Sequence, residues 1–336
     1  MRGDIKIGII GRADNTGLGI ETWEFCRHFP EAKTLIVEFE SLYPGPTYKI
    51  YPARFNNPVI VTEQPNDYEI RAFLEGLDVL FTIETPYNRR TYQIAREMGV
   101  KTILRVNFEW LYDYHPDLFL VPSLYRYQDI PEPKLYLPFP VNRQVLPFKL
   151  RTKAKKFIHI AGNCKAGYDR NGTELFLKAI PYIKSDIEII IKSQVPIAGI
   201  KDKRTRVDVK NYENYWDIWE DADVLVSPRR YAGQSLPLNE AMSRGLAIIM
   251  TDMEPQSQFL PKELSIKPKG FEPLMISRKI DMAVIDPKDI AKKIDEIANQ
   301  DIRDYSKMSN RIAEAWSWES LKPKYEQIFK NICLSH

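Results

Sequence analysis

The sequence predicts an α/β protein built from doubly wound parallel sheets in two domains. Three observations predict it. Short apolar, β-branched runs recur, such as Ile5 to Ile10, Ile187 to Ile191 and Leu246 to Met250, as buried parallel strands require. Segments with helical spacing alternate with them, the pattern of strands joined by crossovers. A stretch with three prolines, Leu135 to Pro147, followed by basic residues to Lys156, divides the chain of 336 residues, which is long enough for two domains with large cores. The expected domains are 1–147 and 148–336.

In the first domain Ile5 to Ile10 is a strand, Gly11 to Gly19 a loop and Ile20 to Phe29 a helix. Thr34 to Phe39 is the second strand. Tyr43 to Pro58 holds four prolines and reads as an irregular surface excursion. Val59 to Val61 and Val79 to Phe81 are short strands. Asn88 to Met98 is a helix stopped by Gly99. Thr102 to Val106 and Leu118 to Val121 complete the strands.

In the second domain Lys156 to Ala161 is a strand, followed by a loop and a helix over Gly172 to Ile183. Strands follow at Ile187 to Ile191 and Arg206 to Val209, then a helix at Tyr215 to Asp221. Helices are expected at Pro287 to Asn299 and Ile302 to Ala315, and Trp316-Ser317-Trp318-Glu319 opens a final helix to about Ile332.

The most informative segment runs from Asp221 to Asp252. Asp223 to Val226 is a strand, Tyr231 to Ser235 a small polar loop, Leu236 to Arg244 a helix ended by Gly245, and Leu246 to Met250 the next strand. A small-residue loop at a helix N-terminus offers free N–H groups and a positive dipole end to phosphate. An acid one turn into such a helix can reach a ribose hydroxyl, and Glu240 stands there. An ordinary α/β crossover with a glycine loop gives a similar outline.

Ala232-Gly233-Gln234-Ser235-Leu236-Pro237-Leu238-Asn239-Glu240-Ala241-Met242-Ser243-Arg244-Gly245 resembles the motif E-G-F-G-L-P-x-x-E-A-M-A-x-G of retaining GT-B glycosyltransferases of the family 4 type. The resemblance implies a GT-B fold: two Rossmann-like parallel-sheet domains facing across a cleft. The second implied domain binds a nucleoside diphosphate sugar, UDP-sugar favoured, and the last helix packs back toward the first. It implies donor contacts from Gly233, Gln234, Ser235 and Leu236, with Glu240 on the ribose. Ala232 replaces the family's first Glu. Ala161-Gly162-Asn163 and Arg170-Asn171-Gly172 resemble V-G-R and K-G, with Asn163 at the Arg and Asn171 at the Lys. A diphosphate leaving group needs positive charge or a metal. Arg170 and Lys192 are the candidates, Lys165 a weaker one. Gly17 and Gly19, in the loop after the first strand, are expected to approach the diphosphate; a structural turn is the other reading.

Ile83 to Tyr87 and Arg105 to Trp110 follow strands, so they lie at C-terminal strand ends, where open α/β sheets place their sites. Glu84, Glu109 and Asn107 are the catalytic candidates, to position the acceptor or stabilise positive charge on the sugar. Arg89, Arg90, Trp110 and Tyr127 are the acceptor candidates. The acceptor is either a saccharide or small aglycone, or a hydroxymethylated pyrimidine in DNA; the latter follows from a resemblance to bacteriophage glycosyltransferases and requires base flipping. His159 sits mid-strand and reads as a satisfied core residue.

Net charge is +3, which neither demands nor forbids an anionic partner. Three scattered cysteines and four scattered histidines fit neither a disulfide frame nor a metal centre. No metal or cofactor is expected beyond the co-substrate. No apolar run approaches membrane-spanning length and no signal segment opens the chain, so a cytoplasmic protein without a membrane anchor is expected. The competing readings are a catalytically weak nucleotide- or glycan-binding protein of the same fold, and a sugar-nucleotide epimerase or phosphorylase.

Overall fold

The computed structural model describes residues 5–164, 169–231, 233 and 235–334. The chain forms two compact units, one of residues up to Phe139 together with those from Trp318 onward, the other Pro140–Ser317. The chain thus leaves the first unit before the expected 147/148 division and returns to it for its last helix.

The first unit contains β1 (Ile7–Gly11), α1 (Gly17–His28), β2 (Lys33–Glu38), β3 (Val59–Thr62), α2 (Asp67–Leu74), β4 (Val79–Ile83), α3 (Thr91–Glu97), β5 (Lys101–Arg105), β6 (Leu118–Val121) and β7 (Lys134–Tyr136). The strands form one sheet in the order β3-β2-β1-β4-β5-β6-β7, every neighbouring pair parallel. The central strand β4 is buried along its whole length, as its apolar sequence dictates. Helix α2 was not expected from periodicity. It starts on a capping box: the Asn66 side chain accepts from the Glu69 N–H at 3.0 Å, and the Glu69 carboxylate accepts from the Asn66 N–H at 2.7 Å.

The second unit contains β8 (Lys156–Gly162), α4 (Thr173–Ala179), β9 (Glu188–Ser193), β10 (Thr205–Val209), β11 (Val224–Ser227), α5 (Leu236–Ser243), β12 (Ala247–Thr251), β13 (Ser265–Ile266), β14 (Gly270–Met275), β15 (Lys279–Val284), α6 (Pro287–Ile297) and α7 (Arg303–Ala315). Its sheet has the order β10-β9-β8-β11-β12-β13 and is again parallel. The antiparallel hairpin β14-β15 is a departure from the expected alternation. The helix expected over Gly172 to Ile183 is shorter. Pro181 has no N–H to continue the ladder, and a single 3-10 turn, Ile180–Tyr182, follows α4. The segment expected as a helix at Tyr215 to Asp221 is likewise one 3-10 turn, Tyr215–Ile218.

Alternate residues of these strands feed two cores. Phe157, Ile189, Ile191, Val224 and Val226 pack with Phe176 of α4 and Ile290 and Ile294 of α6. Ile158, Ile190, Leu225 and Ile248 pack with Leu238, Ala241 and Met242 of α5. His159 lies in this interior, its ring nitrogens 2.8 Å from the Val226 carbonyl and 2.9 Å from the Thr173 hydroxyl. It is the satisfied core histidine that the sequence implies.

The last helix, α8 (Trp318–Leu334), closes the first unit. The Trp318 indole packs edge-on against Phe25 at 5.1 Å and stacks on His28 at 4.0 Å. Its N–H donates to Glu24 at 3.0 Å, and the Tyr325 hydroxyl donates to the Pro138 carbonyl at 3.2 Å.

Candidate active site

Each sheet reverses its strand order once, between β1 and β4 in the first unit and between β8 and β11 in the second. Crevices at the C-terminal ends of strands flanking such a reversal are where open α/β sheets bind ligands.

In the second unit the C-terminal end of β8 is Gly162, with φ 58°, which redirects the chain into Asn163. Asn171 holds that turn by donating to the Ala161 carbonyl at 3.3 Å. The loop after β11 is pinned from two sides. The Arg230 N–H donates to the Arg170 carbonyl at 2.8 Å, and the Ala283 N–H of β15 donates to the Arg230 carbonyl at 2.7 Å. Arg170 lies over the Tyr231 ring at 5.6 Å, and buried Arg229 donates to the Tyr231 carbonyl at 3.1 Å. Arg170, the candidate from the sequence, is therefore gathered with Arg229 and Arg230. Gly172 makes the gathering possible: it has φ 68°, and a Cβ there would lie 2.0 Å from the Pro228 carbonyl oxygen.

Helix α5 follows, with Ser235 at its N-cap, Leu236 at its first position and Glu240 one turn in. Glu240 is only 4% exposed. Its carboxylate accepts from the Tyr215 hydroxyl at 3.0 and 3.1 Å and from the Trp219 indole N–H at 2.8 Å. Burial, with the negative charge of Glu240, pushes the Tyr215 phenol well above its ordinary value, so Tyr215 remains a donor. Gly233 lies half-buried in the loop before α5. Gln234, Ala232 and Lys165 lie outside the described residues. Lys192 is placed differently from the other cations. Its ammonium donates to Asp208 at 2.5 Å, to Tyr212 at 3.1 Å and to Glu220, which occupies all three of its N–H groups. Burial opposes ionisation of Asp208, but Lys192 and Arg206 hold its carboxyl down at about 2.

In the first unit, Gly17 opens α1, and Gly19 lets the helix settle on the preceding loop: a Cβ on Gly19 would lie 2.0 Å from the Asp14 carbonyl oxygen. The ends of β4 and β5 are linked. Asn107 donates to the Glu84 carboxylate, and Arg105 donates to Asn107 at 2.6 Å and to Glu21 of α1. Arg105 is 3% exposed, so this ion pair and hydrogen bond offset the cost of burying it. Burial draws its guanidinium down to about 10, which still leaves a cation at neutral pH. Glu84 has φ 66° and Tyr87 φ 60°, left-handed backbone held in non-glycine residues at a strand end. Glu109 is buried in a 3-10 turn with half-buried Trp110 beside it. Arg89 and Arg90 are exposed, and Arg90 pairs with Asp67 at the start of α2. Half-buried Tyr127 lies under the Lys134 ammonium at 4.9 Å.

The structure thus joins Glu84 to Asn107, and Arg170 to the loop preceding Glu240. Sequence reasoning missed Tyr215 and Trp219, which hold Glu240, and Arg105, which holds Asn107 and is itself paired with Glu21. The signal for the second pair was an arginine closing an apolar strand opposite an acid in α1. Among the described residues no group of three or more His, Cys, Asp or Glu is arranged to hold a metal ion, and no helix is long and apolar enough to cross a membrane.

Comparison with known proteins agrees with this geometry. Residues 155–299 match the family described as Glycosyl transferases group 1. No curated protein sequence matches the chain. Among solved structures, HepE of Anabaena, crystallised with UDP and glucose, superposes with a TM-score of 0.67 at 8% identity, over 98% of this chain and 100% of that one. A glycosyltransferase from Rickettsia africae gives 0.63 at 11% identity, over 98% and 99%. Sucrose-phosphate synthase from Thermosynechococcus elongatus gives 0.62 at 11%, over 98% and 99%. The two parallel-sheet units have the GT-B architecture that the sequence implied, and the match to the glycosyltransferase group 1 family lies within the second unit.

Proposed function

We propose that this glycosyltransferase moves a sugar from a UDP-sugar to a hydroxyl of a saccharide acceptor with retention of configuration. One observation carries the reading: a buried carboxylate, Glu240, is fixed one turn into α5, immediately after a loop that gathers Arg170, Arg229 and Arg230. A carboxylate whose direction is fixed by the Tyr215 hydroxyl and the Trp219 indole suits acceptance from ribose hydroxyls. The arginines supply the charge that a departing diphosphate requires, in a site where their positions are already set. Asn163, Gly233, Ser235 and Leu236 belong to these loops and are assigned to the donor, as is Gln234, and Gly17 and Gly19 are assigned to the approach of its phosphates. HepE, a neighbour in fold, is crystallised with UDP and glucose, which favours uridine as the base.

In the first unit Glu84 and Asn107 are assigned to the acceptor hydroxyl. In a retaining transfer the leaving phosphate takes the acceptor proton, so these two residues orient the hydroxyl rather than deprotonate it. Glu109, Trp110, Arg89, Arg90 and Tyr127 are assigned to the acceptor's flanks.

The test is a thermal-shift panel of UDP, GDP, ADP, CDP and TDP on the wild type and on Glu240→Ala. Ligand at about 100 times Kd adds roughly 2.7 kcal/mol of stability. UDP alone is expected to shift the midpoint, and Glu240→Ala to weaken UDP by roughly 1.5–3 kcal/mol through loss of a charge-assisted hydrogen bond. Equal UDP affinity in the variant removes Glu240 from the site. Tight UDP binding with no transfer or hydrolysis of any UDP-sugar favours the binding-protein reading, which the neutral Asn163 and the fully engaged Lys192 support.

A further inference from the structure

The first unit carries a stripe of alternating cations and aromatic rings that the donor and acceptor assignments leave unused. The Arg27 guanidinium lies 5.3 Å from the Trp23 ring centre, and Arg54 lies 4.4 Å from the same ring. Arg54 is also 4.0 Å from the Tyr51 ring, and the Lys49 ammonium is 5.2 Å from Tyr51. The order is therefore Arg27, Trp23, Arg54, Tyr51, Lys49, with one ring between successive cations. These four contacts share the Trp23 and Tyr51 rings and the Arg54 guanidinium, so they form one continuous run.

The stripe is anchored to the ligand end of the sheet. Arg54 donates to the Asn15 side chain at 2.8 Å, and the Tyr51 N–H donates to the Ala13 carbonyl at 2.8 Å. Ala13 and Asn15 belong to the loop after β1, at the strand reversal. From there the stripe runs along α1 to Arg27, which also reaches the buried Glu24 carboxylate at 3.1 Å. Holding long cationic side chains over rings removes much of the rotamer entropy that anion binding would otherwise cost. It also determines which anion fits. A nucleobase would have to displace a cation to stack on Trp23 or Tyr51, whereas a chain with charges on its sugars meets the cations directly.

We propose that this stripe binds an acidic saccharide chain, with carboxylate or phosphate groups borne on successive sugars, and that such a chain is the class of acceptor this protein extends. The acceptor assignment rests on the function proposed above; binding by the stripe does not.

The experiment measures binding of the full chain by calorimetry to three probes at two salt concentrations: oligogalacturonate, its fully methyl-esterified form, and a single-stranded oligodeoxynucleotide of similar length. A phosphorylated oligosaccharide in a parallel arm separates the two sources of charge. The expected result is that an acidic saccharide binds at least tenfold tighter than the esterified chain and weakens with salt. Arg27→Gln/Lys49→Gln, both exposed positions, should lose most of that affinity while still unfolding cooperatively, the melting temperature falling only by what the Arg27–Glu24 pair contributes, while Arg54→Lys should retain part of it. Equal binding of acidic and esterified chains, unchanged affinity in the double variant, or tighter binding of the oligonucleotide overturns the proposal. UDP-induced stabilisation is measured on the same samples. A normal UDP response without acidic-saccharide binding rejects the stripe alone, whereas loss of the UDP response rejects the donor reading.

Discussion

The Trp219 indole N–H points at the carboxylate of Glu240 across 2.8 Å, and the Tyr215 hydroxyl spans both oxygens of the same carboxylate. Both donors come from the segment between β10 and β11, while Glu240 comes from α5, so a single buried acid ties two parts of the sheet's ligand end together. Trp219→Phe removes one donor and leaves a buried carboxylate under-satisfied, which is expected to cost about 1–3 kcal/mol. Urea unfolding of Trp219→Phe and Tyr215→Phe checks this. UDP affinity should fall in both, because the acid loses its fixed direction. A stability loss with unchanged UDP affinity would confine Trp219 and Tyr215 to structural support.

Glu84 separates strain from function. Its φ of 66° is costly for a residue with a Cβ and free for glycine. Glu84→Gly relieves that strain while adding unfolded-state entropy, so its stability should lie within about 1 kcal/mol of the wild type. Turnover is expected to fall by roughly tenfold or more, a barrier increase of at least about 1.4 kcal/mol. Initial-rate measurements beside thermal unfolding test the pair of outcomes; wild-type rates would return Glu84 to the scaffold.

His159 sets a pH dependence. Burial, only partly offset by the Val226 carbonyl, lowers its pKa to about 4 in the folded chain, against about 6.5 when unfolded. Below pH 6.5 the unfolded chain therefore binds a proton that the folded chain refuses. The stability from this residue is complete above pH 6.5 and is lost as the pH falls from there toward 4, roughly 3 kcal/mol in all. His159→Asn, which can hydrogen-bond but does not titrate, should show a flatter stability curve over that interval. Parallel curves would mean that His159 protonates without penalty.

Much of the architecture was legible because burial on both faces of a parallel strand leaves a visible trace. Runs such as Ile187 to Ile191 have one structural solution, and the strands at both order reversals were found this way. What escaped depended on partners distant in sequence. Helix α2 is short, and its boundary is written in Asn66 and Glu69 rather than in apolar spacing. Strand β14 makes sense only opposite β15. The motif around Glu240 announced a ligand-bearing acid. Nothing local announced that Tyr215, separated from it by a whole strand, would hold it. Lys192 shows the reverse: a lysine at a strand end reads as a phosphate ligand until Asp208 and Glu220 are seen to enclose it.

Gly172 is the position most exposed to a minimal change. Alanine there meets both a left-handed backbone and a carbonyl oxygen 2.0 Å from its Cβ. Gly172→Ala should lose more than about 1 kcal/mol of stability and should displace the Pro228 segment that carries Arg229 and Arg230. Differential scanning calorimetry with and without UDP reads both effects. A variant with wild-type melting and UDP response would show that this loop adapts freely.

Helix α8 gives the chain an order of assembly. The strands of the first unit precede the second unit in sequence, yet Trp318 and Tyr325, which pack around Phe25 in the first unit, follow it. A ribosome delivers the second unit whole while the first still lacks the wedge that seals it. The first unit must therefore wait, open on one side, until α8 has been made. A stop introduced directly after Ser317 would leave the second unit whole and damage the first, whose strands were made before it.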